Sequence, residues 1–198
     1  MGLGLASFTG YLPVMNIVRN LLPYADALQS RDLEAVTLLV VHCTELPDLQ
    51  TAREYGETVH YPESGTGNSG HFYIDRDGRC EQWVPLERIA HHVRGLNGNS
   101  IGVELVNLGR WPDWFHAAHQ TPTEAYPDVQ IAQLLGLIEY LRSLLPNLRE
   151  IAGHQDLDRQ RIPAADDPEQ MIWRKIDPGP LFPWKTVLER SSLHRVLR

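Results

Sequence analysis

The sequence predicts a single α/β (α+β) domain, with a central mixed β-sheet flanked by helices. Three observations carry that expectation. Residues 34–41 form a near-continuous apolar and β-branched run, the pattern of a central strand buried on both faces. Residues 101–107 alternate, with Ile101, Val103 and Leu105 on one face and Gly102, Glu104 and Val106 on the other. From Asp128 to Leu145, apolar residues recur at spacings of three and four, which is a helical stripe. At 198 residues the chain is long enough to bury one real core. The expected division is an N-terminal arm over 1–30, the domain over 31–190 and a C-terminal tail over 191–198.

The remaining elements follow in order. The first strand ends at His42. Leu49 to Val59 reads as a short helix, and Tyr61 to Gly70, rich in Pro, Gly, Ser and Asn, as a loop. Two extended runs, 71–75 and 80–84, flank Asp77-Gly78. That is a hairpin, because glycine accepts the positive φ its turn needs. Residues 110–127 hold three prolines and two tryptophans and read as a surface loop. Asp128 is the expected cap of the long helix, and Pro146 its stop. Leu148 to Gly153 is a short strand ending at His154. Arg159 to Gln170 is polar and reads as loop, and Pro180 to Arg190 as a closing helix.

Composition narrows the function. Lys plus Arg is 18 against 25 Asp plus Glu, a net charge of −7 with no basic tract. That argues against a nucleic-acid or anionic-membrane surface. Two cysteines, Cys43 and Cys80, are too few for a disulfide scaffold, though they leave one bridge open. No segment reads as a transmembrane helix. The nearest, residues 1–18, is interrupted by glycines and a proline. As an export signal it lacks a positive start, although Ala25-Asp26-Ala27 resembles a cleavage site.

Two strands end directly in histidine, His42 and His154, and strand ends of α/β layouts are where ligands are usually held. Asp177 precedes a stiff Pro-Gly turn. Glu104 lies mid-strand, where an ionisable group must be paired, ligating or shifted in pKa. Each also has a plain alternative. A strand-end histidine is more often structural, Asp-Pro-Gly is a turn former, Glu104 could be ion-paired, and Lys175 could be a solvated surface lysine. From the residues alone, His42, His154 and Asp177 are a candidate zinc site.

Six segments then occur in one order: Val40-Val41-His42-Cys43-Thr44, residues 70–78, Ala90-His91-His92, residues 99–105, Gly153-His154-Gln155-Asp156 and residues 175–180. That ordered set resembles the type 2 N-acetylmuramoyl-L-alanine amidases, the zinc peptidoglycan amidases that include the AmpD-like enzymes. Peptidoglycan recognition proteins share their fold. The resemblance spans roughly Ala35 to Trp184 and makes 31–190 a zinc amidase domain.

It implies one zinc ion per chain, held by His42, His154 and Asp177, three ligands that leave a fourth position for water. It implies Glu104 as the catalytic acid/base and Lys175 as oxyanion stabiliser. The implied substrate is a peptidoglycan fragment or 1,6-anhydro-muropeptide, cut between N-acetylmuramic acid and L-alanine. His92 is read as lining the cleft or as a solvated loop residue. Arg94 is read as a partner for a stem-peptide carboxylate or as a solvated arginine. Asp156 either orients a ligand histidine or caps a helix. His71 is read as structural or as cleft wall.

One departure stands out. His154 and Asp177 are 23 residues apart, against about ten in the family. Residues 159–173 read as an insertion, which leaves open whether Arg174 takes the role given to Lys175. With no convincing export signal, the expectation is a cytoplasmic recycling role. The competing readings are a peptidoglycan-binding module without catalysis and a secreted effector amidase. Oligomeric state is not predicted.

Overall fold

A computed structural model describes residues 16–198. Residues 1–15 of the expected arm, and most of the apolar stretch weighed as an export signal, therefore lie outside the described residues. In chain order the elements are β1 (Ile17–Arg19), β2 (Leu38–Cys43), α1 (Leu49–Glu57), β3 (Val59–Tyr61), β4 (Thr66–Gly67), β5 (Phe72–Ile74), β6 (Cys80–Gln82), β7 (Ser100–Leu105) and α2 (Asp128–Leu144). They continue with β8 (Glu150–Gly153), α3 (His154–Leu157), β9 (Arg161–Pro163), β10 (Met171–Trp173), α4 (Trp184–Ser191) and β11 (His194–Arg195).

Seven strands make one sheet in the order β1-β6-β5-β7-β2-β8-β11. Only the β5–β6 hairpin is antiparallel, so the sheet is mixed as expected. Gly78 takes φ +87 in that hairpin's turn, the freedom its sequence position required. At the centre, β2 lies parallel between β7 and β8 and all its residues are buried, which explains its unbroken apolar run.

The alternation along these strands sorts two faces. Leu39, Val41, Ile101, Val103, Leu105 and Ile151 pack with the apolar stripe of α2 (Ile131, Leu134, Leu137, Ile138 and Leu141) and with Val187 of α4, forming the main core. The opposite face carries Leu38, Val40, His42, Gly102, Glu104 and Ala152. Loops and the short α1 cover it only in part, and this is where the cleft opens.

Several local expectations are corrected. Asp128 does not cap α2: Pro127 is the cap residue, with no side-chain bond, and Asp128 stands in the first turn. The helix from Leu49 ends at Glu57, and Val59 begins a small hairpin that pairs β3 with β4 inside the expected 61–70 loop. Residues 159–170 are not all loop, because β9 pairs antiparallel with β10. Strands also come from both segments read as arm and tail. β1 adds to one edge of the sheet beside β6, and β11 to the other beside β8. The two cysteines are both free and buried. Among the described residues, no helix is long and apolar enough to cross a membrane.

Candidate active site

The register of the parallel strands assembles the first half of the site. His42 on β2 pairs with Glu104 on β7, and Val41 pairs with Gly153, the residue before His154. His42, Glu104 and His154 therefore stand side by side at the carboxyl ends of three adjacent strands. Asp177 arrives from a distant segment and is fixed beside His154, where its carbonyl accepts from the Gln155 amide at 2.9 Å. The β9–β10 hairpin accounts for the long spacing. It leaves and returns locally, closed where the Arg174 amide donates to the Gln160 carbonyl, so the inserted residues do not displace Asp177.

Three donor atoms converge. His42 Nδ1 lies 3.1 Å from His154 Nδ1 and 3.1 Å from Asp177 Oδ2, and His154 Nδ1 lies 3.3 Å from the same oxygen. All three residues are buried. Edges of about 3.3 Å are those of a tetrahedron with ~2.0 Å metal–ligand bonds.

Hydrogen bonding alone does not satisfy this cluster. His42 Nε2 faces His92 Nδ1 at 3.0 Å, and His92 Nε2 faces Ser100 Oγ at 3.2 Å. The Ser100 hydroxyl donates to the Leu96 carbonyl at 2.7 Å. The chain is consistent when each Nε2 carries the proton, which leaves a bare lone pair on His42 Nδ1 aimed at the Asp177 carboxylate. Two lone-pair atoms at that distance repel unless a cation lies between them. Asp177 Oδ1 and His154 Nε2 are also buried without a partner. The donor set thus fits a divalent ion of the zinc type.

The electrostatics agree. Burial, reinforced by the His154 charge, pushes His42 down to about 4 against the pull of Asp177, so its ring is neutral. Burial by itself would raise Asp177, but His154, His42 and Lys175 outweigh it and hold the carboxyl well below its usual range. Glu104 goes the other way. Burial and the Asp177 charge push it up to about 8, with Lys175 opposing. Its Oε1 lies 4.0 Å from His42 Nδ1.

A cleft of about 610 Å³ opens over these groups, and its lining includes His92, Arg94, Arg174 and Lys175. His92 is more than a lining residue, since its ring fixes the orientation of His42. Arg94 is exposed, with one long contact to Gln160 at 3.4 Å. Lys175 faces the cleft, whereas Arg174 is ion-paired with Asp158. His71 is fully buried, bonded to the Gly102 amide and the Arg88 carbonyl, and so is structural. Asp156 does not touch a ligand histidine. It accepts from the Gly153 amide at the start of α3 and pairs with Arg195. Cys43 bonds Asn107 and stays outside the donor cluster.

Two features were missed by sequence reasoning. His91 stacks edge-on against Tyr61 at 4.9 Å on the cleft wall. Arg110 and Glu45 form a buried ion pair. His91 lies in the Ala90-His91-His92 segment, but neither pairing was marked by a short motif, because the partners lie 30 and 65 residues apart.

The mixed sheet, the open face and the His-His-Asp donor set define an α+β domain built around a metal-type cleft. The chain belongs to the N-acetylmuramoyl-L-alanine amidase family, whose model matches residues 32–180. It is 30% identical over 179 residues to the 1,6-anhydro-N-acetylmuramyl-L-alanine amidase AmpD of Escherichia coli (strain K12), covering 77% of this chain and 81% of that one. AmpDh3 from Pseudomonas aeruginosa, solved in complex with anhydromuramic pentapeptide, aligns with TM-score 0.59 at 26% identity, over 81% of this chain and 61% of that one. A peptidoglycan recognition protein ectodomain complex bound to tracheal cytotoxin aligns with TM-score 0.51 at 18% identity, over 78% and 93% of the two chains. That last likeness concerns the fold alone.

Proposed function

We propose that the protein hydrolyses the amide between N-acetylmuramic acid and L-alanine in 1,6-anhydro-muropeptides, with zinc held by His42, His154 and Asp177. The observation that carries this reading is the convergence of three donor atoms within 3.3 Å of one another beside a partly buried glutamate. When bound, zinc supplies Lewis acidity that polarises a carbonyl and acidifies water. Glu104 takes the proton of the attacking water and passes it to the leaving amine. Lys175 donates to the carbonyl oxygen as negative charge develops there. His92 holds the His42 ring, and Arg94 meets a stem-peptide carboxylate at the rim.

The complex of AmpDh3 with anhydromuramic pentapeptide supports the substrate class. The complete set of His42, His154, Asp177, Glu104 and Lys175 favours an enzyme over a module that only binds peptidoglycan. A recycling role inside the cell follows from the same substrate, and cell fractionation tests it.

The deciding experiment pairs elemental analysis with release of free stem peptide from anhydro-muropeptide. One zinc per chain and peptide release are expected. Asp177→Ala should lose both, and unchanged zinc stoichiometry in that variant would remove Asp177 as a ligand. Arg94→Ala should raise KM severalfold while sparing kcat, and an unchanged KM drops its role.

A further inference from the structure

Arg110 is a loop arginine that is almost wholly buried, with 1% of its side chain exposed. Its Nε and one terminal nitrogen grip both Glu45 oxygens, at 2.7 and 2.8 Å. The remaining N–H groups reach Gln120 Oε1 at 3.2 Å, the Trp173 carbonyl at 3.1 Å and the Arg174 carbonyl at 3.2 Å. One guanidinium thus ties together two stretches of chain. Glu45 stands three residues beyond His42, in the turn that leaves β2, with φ +52. Trp173 and Arg174 immediately precede Lys175.

Packing around the pair is specific. A Cβ on Gly109 would fall 2.6 Å from Glu45 Cγ, so the neighbouring loop must carry glycine for Glu45 to lie as it does. Burying an ion pair is weak evidence of stabilisation, because desolvation offsets the attraction. What this pair supplies is position. Asp177 has its own anchor through Gln155, but the carbonyl just before Lys175 is held by Arg110.

We propose that Arg110, oriented by Glu45, is a positioning residue that sets the place of Lys175 in the cleft that His42 and Glu104 also line. This rests on the reading of Lys175 as the group that meets the developing oxyanion. Misplacing a reacting group by about 1 Å costs up to ~10²-fold in rate. Removing the clamp should therefore act on kcat and leave KM nearly unchanged.

The test is a mutant cycle in the zinc-loaded enzyme with anhydro-muropeptide as substrate. Arg110→Lys keeps a charge beside Glu45 but cannot span both carbonyls. It should lower kcat by roughly 10–100-fold, with KM within about twofold and zinc content unchanged. Lys175→Ala should then cost far less in the Arg110→Lys background than in the native chain. If Arg110→Lys does not fold, the double change Glu45→Met with Arg110→Met removes both charges and carries the same cycle. Native kcat in the clamp variant, or an equal Lys175→Ala effect in both backgrounds, overturns the proposal. An unchanged kcat for Lys175→Ala in the native chain removes Lys175 from the reaction and Arg110's role with it, a failure visible before any clamp variant is made.

Discussion

The two banks of the cleft are built differently. One bank is the ends of β2, β7 and β8, where parallel register alone places His42, Glu104 and His154. The other is irregular chain, residues 174–177, braced from outside the cleft by the 108–126 loop through side chains that bond to backbone and through charge pairs. The sheet bank gains its precision from a core that also folds the protein. The loop bank depends on a few long-range polar contacts. Changes on the first should alter chemistry without moving backbone, and changes on the second should alter geometry.

The largest effect is expected on the sheet bank. Glu104→Gln keeps the shape of the side chain and the strand around it. It should retain zinc and native melting behaviour while lowering kcat by about 10²–10⁴-fold, the usual loss with an acid/base group. Near-native turnover in that variant would place the proton transfer elsewhere and break the contrast.

The same division explains what the sequence disclosed. His42 and His154 were legible because each ends an apolar strand, and Glu104 because it interrupts one. The main helix was legible from its stripe, although its cap was not, since Pro127 and Asp128 look alike as starts. Asp177 offered only a stiff Pro-Gly turn as local signal, enough to make it a candidate ligand, whereas Lys175 was marked only by resemblance to a family. Arg110 and Glu45 could not be paired from sequence. Each is an ordinary charged loop residue, and the contact that gives them meaning closes over 65 residues.

A smaller effect sharpens the comparison within the sheet bank. A Cβ at Gly102 would fall 2.6 Å from His92 Cγ and 2.7 Å from its Nδ1, the atom that faces His42. Gly102→Ala must push the ring away and release the orientation of His42. Zinc affinity should fall by about 10–100-fold, the range for lost partners of a metal ligand. Gly98, which has open space around it, is the control. Gly98→Ala should stay within about 0.5 kcal/mol of native stability. Equal zinc affinity in the two variants would mean the His92 contact does not orient the ligand.

The smallest effect belongs to the loop bank and depends on pH. Glu124 accepts from Arg76 at 2.6 and 3.0 Å and from the Leu108 amide, while Arg76 also reaches the Pro47 carbonyl at 2.8 Å. Burial would raise its pKa, but Arg76 and the amide outweigh burial and hold it below the usual value. A depressed carboxyl contributes stability that is present above the unfolded pKa, about 4.3, and is lost as pH falls through the folded one. Glu124→Gln should therefore cost about 1 kcal/mol at pH 7, a modest figure because the pair is partly exposed. Below the folded pKa the variant and native chains should unfold alike. Denaturant titrations at pH 7 and at stepwise lower pH, carried past the point where Glu124 takes up its proton in the native chain, check this. A gap that persists in acid would assign the loss to packing rather than charge, and the loop bank would then resemble the sheet bank more than its contacts imply.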